Sequence, residues 1–219
     1  MEHIEFMEHI ESVGASGHEC VTEFGDEAWQ KLYDKCALCQ KCELGKTRTN
    51  CVFGVGNINA DLMFVGEAPG EQEDLKGVPF VGRAGQLLDR YFYAVGIDRN
   101  DVYIANMLKC RPPKNRDPLP EEEDMCIDYL REQVRLIKPK IIVCLGRISA
   151  MRLIKSDYRI TKEHGQWVKR GQFMMTAVYH PALLLRDPRK KEEMLEDMKG
   201  VKEKLDMLRE IAGGNGSEE

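Results

Sequence analysis

Apolar residues follow two rhythms along this chain. Short β-favouring runs at Asp61 to Val65, Val102 to Asn106, Ile141 to Leu145 and Phe173 to Val178 are long enough for strands and too short for ordinary helices. Between and after them apolar positions recur every three or four residues. That spacing predicts helices over Ala84 to Val95 (Leu87, Leu88, Tyr91, Phe92, Val95), Pro120 to Ile137, Ile148 to Ile154 and Lys190 to Ile211. Asp117-Pro118-Leu119-Pro120-Glu121-Glu122-Glu123 sets prolines and acids where a helix N-terminus accepts them. Uniformly apolar strands alternating with helices predict an α/β fold with a parallel sheet covered on both faces. Ligands of such sheets bind beyond the carboxyl ends of the strands, so those ends are where chemistry is expected.

Residues 1–25 show no sustained period and are read as an extension, and residues 213–219 as a frayed tail. Residues 26–212 are then expected to form one domain. A chain of 219 residues with 42% hydrophobic residues has room for one core. No apolar run approaches the ~18 residues of a membrane span, and Met1-Glu2-His3-Ile4-Glu5 lacks the basic-then-apolar order of a signal peptide. A cytoplasmic protein without a membrane partner is expected. The net charge of −5 gives no whole-chain footprint for nucleic acid. Positive charge is local: Lys109, Arg111, Lys114 and Arg116 follow the second strand, and Arg186, Arg189, Lys190 and Lys191 follow the fourth. Such runs are usually solvated surface, yet two of them on one sheet edge fit a phosphate backbone.

Eight cysteines are many for a reducing compartment and point to metal or cluster ligation ahead of disulfides. Cys36, Cys39 and Cys42 stand three apart, Cys110 and Cys126 follow, and Cys20, Cys51 and Cys144 stand alone. Cys144, inside an apolar run, reads as a small buried hydrophobe. At the strand ends, Gly66-Glu67-Ala68-Pro69-Gly70-Glu71-Gln72-Glu73-Asp74 is a tight acidic turn, which composition alone would leave as solvated loop. The second strand ends in Asn106-Met107-Leu108-Lys109-Cys110-Arg111-Pro112-Pro113, and the fourth in Tyr179-His180-Pro181. Pro79-Phe80-Val81-Gly82-Arg83-Ala84-Gly85 adds an aromatic on a glycine-rich loop. A lone histidine or phenylalanine is more often structural, but a histidine before proline at a ligand edge exceeds that base rate. No dinucleotide fingerprint follows a strand and no phosphate loop ends in Gly-Lys-Ser or Gly-Lys-Thr.

Taken in order, these blocks resemble the family 4, iron-sulfur uracil-DNA glycosylases. The similarity spans roughly Cys39 to Arg186 and rests on Cys-x-x-Cys, Gly-Glu-Ala-Pro-Gly, Pro-Phe-Val-Gly-Arg-Ala-Gly, Asn-x-x-Lys-Cys-Arg-Pro-Pro and His-Pro-Ala. Any one block is weak; the ordered set is strong. The resemblance implies a three-layer α/β/α fold around a four-stranded parallel sheet. It implies removal of uracil from single- or double-stranded DNA by hydrolysis of the N-glycosidic bond, leaving an abasic site. It also implies a [4Fe-4S] cluster on four cysteines, with Cys110 and Cys126 as the second pair. Cys36/Cys39 and Cys39/Cys42 both have the spacing of the first pair; the family's leucine and arginine after the second cysteine match Leu44 and Arg48 and select Cys39 and Cys42. Four thiolates suit zinc equally well by chemistry.

For the pocket the resemblance implies the following roles. Phe80 stacks on the flipped base, and the Asn106 amide accepts from uracil N3–H and donates to O4. His180 donates to uracil O2 as charge grows there, helped by loop N–H groups around Ala68. In better-known glycosylases the turn reads Gly-Gln-Asp-Pro-Tyr; here Ala68 replaces the aspartate and Gly70 the tyrosine. Glu67 is therefore the expected group for the water or the sugar cation, and Glu73 the expected guard of the C5 edge. Arg83, Lys109, Arg111, Leu184 and Arg186 are expected DNA contacts, with Leu183, Leu184 and Leu185 forming a wedge. A monomer is expected, with helix Lys190 to Ile211 either packed on the sheet or meeting a partner such as a sliding clamp. Rival readings are a covalent uracil trap, which needs a histidine that Cys110 to Leu119 lacks, a non-catalytic metal-bearing DNA-binding module, and an electron carrier. The last two leave Glu67, Phe80, Asn106 and His180 unexplained.

Overall fold

The computed structural model describes residues 27–214; the expected extension and tail lie almost wholly outside them. In chain order it contains α1 (Glu27–Ala37), α2 (Leu44–Thr47), β1 (Val55–Gly56), β2 (Leu62–Gly66), α3 (Glu71–Lys76), α4 (Arg83–Ala94) and β3 (Tyr103–Asn106). There follow α5 (Pro120–Ile137), β4 (Ile141–Leu145), α6 (Arg147–Leu153), α7 (Ile160–Glu163), β5 (Val168–Arg170), β6 (Phe173–Val178), α8 (Pro181–Arg186) and α9 (Lys191–Gly214). All four expected strands and all four expected helices form within a residue or so of the limits the periodicity gave, α9 excepted, which runs to Gly214.

The sheet has six strands in the order β1-β3-β2-β4-β6-β5. Its inner four, β3-β2-β4-β6, are mutually parallel. Short antiparallel strands close both edges, β1 against β3 and β5 against β6. The four-stranded parallel sheet is thus present, extended by two strands that the periodicity did not show. Neither edge is long enough to carry a pattern.

Alternation along the inner strands assigns the two faces. Met63, Val65, Tyr103, Ala105, Ile142 and Cys144 join α1 and α5 in one core, through Trp29, Leu32, Ile127, Leu130 and Ile137. Leu62, Phe64, Ile104, Ile141 and Val143 face the other way, onto Leu87, Leu88, Tyr91 and Phe92 of α4 and onto α9. Burial on both faces is why β2, β3 and β4 read as unbroken apolar runs. Met194, Leu195, Met198, Val201 and Leu205 of α9 are buried in this second core. Of the two roles expected for this helix, the structure therefore shows packing on the sheet. Among the described residues no helix is long and apolar enough to cross a membrane.

Parallel register brings the strand ends to one edge. Gly66 pairs with Asn106 at the last rung of β2 and β3, and Leu145 pairs with Val178 at the last rung of β4 and β6. The segments carrying Glu67, Asn106 and His180 leave the sheet on this same side.

Candidate active site

A cavity of about 440 Å³ opens at that edge. Glu67, Ala68, Glu73, Phe80, Asn106 and His180, all expected at the site, line it together. The turn after β2 is tied to the segment after β3, whose Met107 and Leu108 N–H groups donate to the carbonyls of Gly66 and Glu67.

Asn106 is buried, and its Oδ1 lies in the protein without a hydrogen-bond partner. A buried unpaired acceptor costs ~1–3 kcal/mol, so an amide oxygen left this way at a cavity wall is a ligand acceptor in waiting. Gly66 makes room for it: a Cβ there would stand 2.3 Å from Asn106 Oδ1 and 2.7 Å from Phe80 Cζ. Any side chain at position 66 would push Asn106 and Phe80 from their places at the cavity wall.

Phe80 adopts φ +54°, a left-handed conformation that is rare outside glycine and asparagine. Its surroundings hold it there. Glu73 Oε1 accepts from the N–H groups of Val81 at 2.9 Å and Gly82 at 2.7 Å. Arg99, itself paired with Asp89, donates to the carbonyls of Pro79 and Phe80. Gly85 lets the carbonyl of Phe80 approach, since a Cβ there would lie 1.9 Å from it. Glu73 lines the cavity as expected, but one of its oxygens is committed to fixing the Phe80 loop.

His180 caps α8 with its own side chain: Nδ1 accepts from the Ala182 N–H at 3.1 Å. The ring proton of the neutral imidazole therefore sits on Nε2, the nitrogen free to donate to a ligand. Burial, with the nearby Arg186 charge adding, lowers the His180 pKa to about 4, so the ring is neutral at pH 7. The ring lies 5.7 Å from that of Phe80, at 35° to it. Gly146, at φ +93°, allows this seat, because a Cβ there would be 2.8 Å from His180 Cβ.

Burial raises the Glu67 carboxyl to about 7, with Asp117 adding to the effect and Arg147 opposing it. A carboxylate poised near neutrality is suited to taking a proton from water. Asp117, together with Pro112, Asn115 and Arg116, forms a wall of the cavity that the sequence reading did not assign. The loop is held by Glu122, which binds the Arg116 guanidinium through both oxygens at 2.6 and 2.8 Å and accepts from the Leu119 N–H. The signal was the run Asn115-Arg116-Asp117-Pro118, of which Arg116 was read as local positive charge and Asp117-Pro118 as part of a helix start.

Two expected DNA contacts are corrected. Lys109 is 1% exposed, and its ammonium donates to the carbonyls of Phe53 and Asn106 and to Gln133 Oε1. A head group with three internal acceptors does not reach a phosphate. Leu184 is fully buried in the core beneath α8, whereas Leu185 beside it is 40% exposed. Arg83 and Arg186 are exposed, and Arg186 lines the cavity. Arg111 is partly exposed and bonds Asn115 Oδ1 at 2.7 Å.

Cys39, Cys42, Cys110 and Cys126 surround a second, smaller cavity, which Cys36 also lines. Arg48 Nη1 donates to Cys110 Sγ at 3.1 Å, and the Lys109 N–H donates to Cys126 Sγ at 3.3 Å. Donors aimed at sulfur are what thiolate ligands require, so the chemistry of this set fits a sulfur-held metal group. Among the described residues no three Cys, His, Asp or Glu side chains converge tightly enough to hold a single ion.

Residues 53–199 match the family model described as the uracil DNA glycosylase superfamily. The chain is 49% identical over 175 residues to the type-4 uracil-DNA glycosylase of Archaeoglobus fulgidus, covering 75% of this chain and 87% of that one. It is 44% identical over 185 residues to the type-4 enzyme of Saccharolobus solfataricus, covering 80% and 85%. With that of Thermotoga maritima it shares 42% over 166 residues, covering 74% and 85%. This chain belongs to the type-4 uracil-DNA glycosylase family. The match takes in every strand and the whole cavity wall, from Ala68 and Phe80 to His180 and Arg186. Cys39 and Cys42 lie before the start of the superfamily match, while Cys110 and Cys126 fall inside it.

Proposed function

We propose that this protein is a DNA repair hydrolase that removes uracil from DNA, leaving an abasic site. The observation that carries the reading is the unpartnered, buried Oδ1 of Asn106 beside Phe80 and opposite a neutral His180. A flipped uracil fits this arrangement: its ring lies against Phe80, and its N3–H supplies the donor that Asn106 Oδ1 lacks. Cytosine offers an acceptor at N3, so it would leave that oxygen unpaired. As the glycosidic bond breaks, negative charge collects on the uracil ring. His180 Nε2–H donates to O2 without prior protonation, and a neutral donor loses no proton to the leaving base. Glu67 takes the proton of the attacking water or faces the sugar cation.

Cys39, Cys42, Cys110 and Cys126 are the residues that would hold a [4Fe-4S] cluster. When bound, it supplies a cross-link between the segment before β1 and the segment after β3. Arg83, Arg111 and Arg186 are the expected phosphate contacts, and Leu185 replaces Leu184 as the wedge.

The test is excision from a labelled oligonucleotide bearing one deoxyuridine, with a thymidine control, read as alkali-sensitive breaks. Breaks at uracil alone are expected in single- or double-stranded substrate. Their absence on both, with cluster-loaded protein, overturns the hydrolase and leaves a DNA-binding scaffold.

A further inference from the structure

Among the described residues, two cysteines are left over once the four proposed ligands and Cys144, buried in β4, are set aside. Cys36 closes α1 and is fully buried; Cys51 lies on the chain leading into β1 and is partly exposed. Both are free thiols, and their sulfurs lie 3.4 Å apart across 15 positions of sequence. We propose that Cys36 and Cys51 are a redox-active pair, a disulfide modification site that closes the loop carrying Cys39 and Cys42.

The geometry is already that of a closed loop. Arg48 binds the carbonyls of Cys36 and Ala37, while the Thr49 and Asn50 N–H groups donate to Asp74. Both backbone segments are thus anchored with the sulfurs in contact. The sulfurs have to close from 3.4 Å to the ~2.05 Å of an S–S bond. The tie would enclose two of the four proposed cluster ligands, so oxidation would hold them in register.

The oxidant is a small-molecule disulfide. The more exposed Cys51 sulfur attacks one of its sulfurs; the S–S bond breaks, and one thiol leaves with the Cys51 proton. Cys36 then attacks the Cys51 sulfur, breaks the mixed disulfide and releases the second thiol with its own proton. Two protein thiols are oxidised by two electrons, and one small disulfide is reduced to two thiols.

The pair rests on the contact between its sulfurs and stands apart from the glycosylase reading. Cluster-loaded protein would be incubated anaerobically with bis(2-hydroxyethyl) disulfide, alkylated with iodoacetamide, digested and weighed. The expected product is a Cys36–Cys51 linked peptide, lighter by two hydrogens than its two free-thiol halves. It should be lost on reduction and absent from Cys36→Ser and Cys51→Ser. Alkylation of both cysteines after oxidation overturns the proposal, as does a link from Cys36 to Cys39 or Cys42. Uracil excision assayed on the same samples reports separately, because neither cysteine lines the larger cavity.

Discussion

At the scale of single residues, the proposed site divides labour between a donor that is neutral at pH 7 and an acid poised to ionise there. His180→Ala is expected to lower the single-turnover excision rate ~10²–10³-fold, the usual loss for a donor to a developing anion. Glu67→Ala should cost less; the reverse order would overturn this division. The pH profile follows from the two shifts. Depressed to about 4, His180 contributes no titration near 6.5. Raised to about 7, Glu67 is mostly protonated below that pH and ionised above it, so the rate should climb through pH 7 to a plateau. In Glu67→Gln the climb should vanish. Asn106→Ala should lower kcat/KM by ~10² or more, since a site built around a hydrogen bond rejects what cannot make it. A calorimetric melt of the same variant should show little loss of stability, because the oxygen it deletes is unpaired in the free protein. The residue types and their order at the sheet edge made these three positions legible in the sequence. Lys109 was misread because charge predicts exposure only when no acceptors converge inside; the three that do come from segments up to 56 positions away.

At the scale of elements, the loop between α3 and α4 is the part built under strain. Glu73, Arg99 and Gly85 all act on the backbone around Phe80, and none of them needs to touch a base. The last residue of β2 matters in the same way. Gly66→Ala should fold, since φ there is unexceptional, yet abolish most activity by displacing Asn106 and Phe80. Circular dichroism with an excision assay separates the two effects, and an active Gly66→Ala would show that the pocket relaxes. Lys109→Met tests the correction from the other side. It strips a hydrogen bond from Phe53, Asn106 and Gln133 at once, and a loss of ~2–4 kcal/mol in denaturant unfolding is expected. Periodicity exposed the long elements because each buries a face over several turns or rungs. The two- and three-residue strands β1 and β5 carry no such record; only the pairing partner defines them.

At the scale of the molecule, the sheet order explains why distant blocks of sequence make one site, and charge explains how DNA would reach it. Parallel strands put all four C-terminal ends on one edge, so a reader of the sequence who finds the strands knows where the blocks will meet. What the sequence withholds is which cations remain available there. Arg116 is spent on Glu122, Arg189 on Asp187 and Lys190 on Glu193, which leaves Arg83, Arg186 and Arg111, the last held only by a 3.6 Å pairing with Glu71 and a bond to Asn115 that a phosphate can replace. A net charge of −5 adds no general attraction to a polyanion, so these local contacts should dominate the salt dependence. With about three phosphates neutralised, duplex affinity should fall roughly 40-fold between 50 and 200 mM salt, and single-strand affinity roughly 20-fold. Arg186→Ala and Arg83→Ala should each reduce the log–log slope by about one. Lys109→Met should leave it unchanged despite the lost stability. Fluorescence anisotropy with an uncleavable uracil analogue measures all four proteins, and a slope that responds to Lys109 but not to Arg186 would place the DNA on another face.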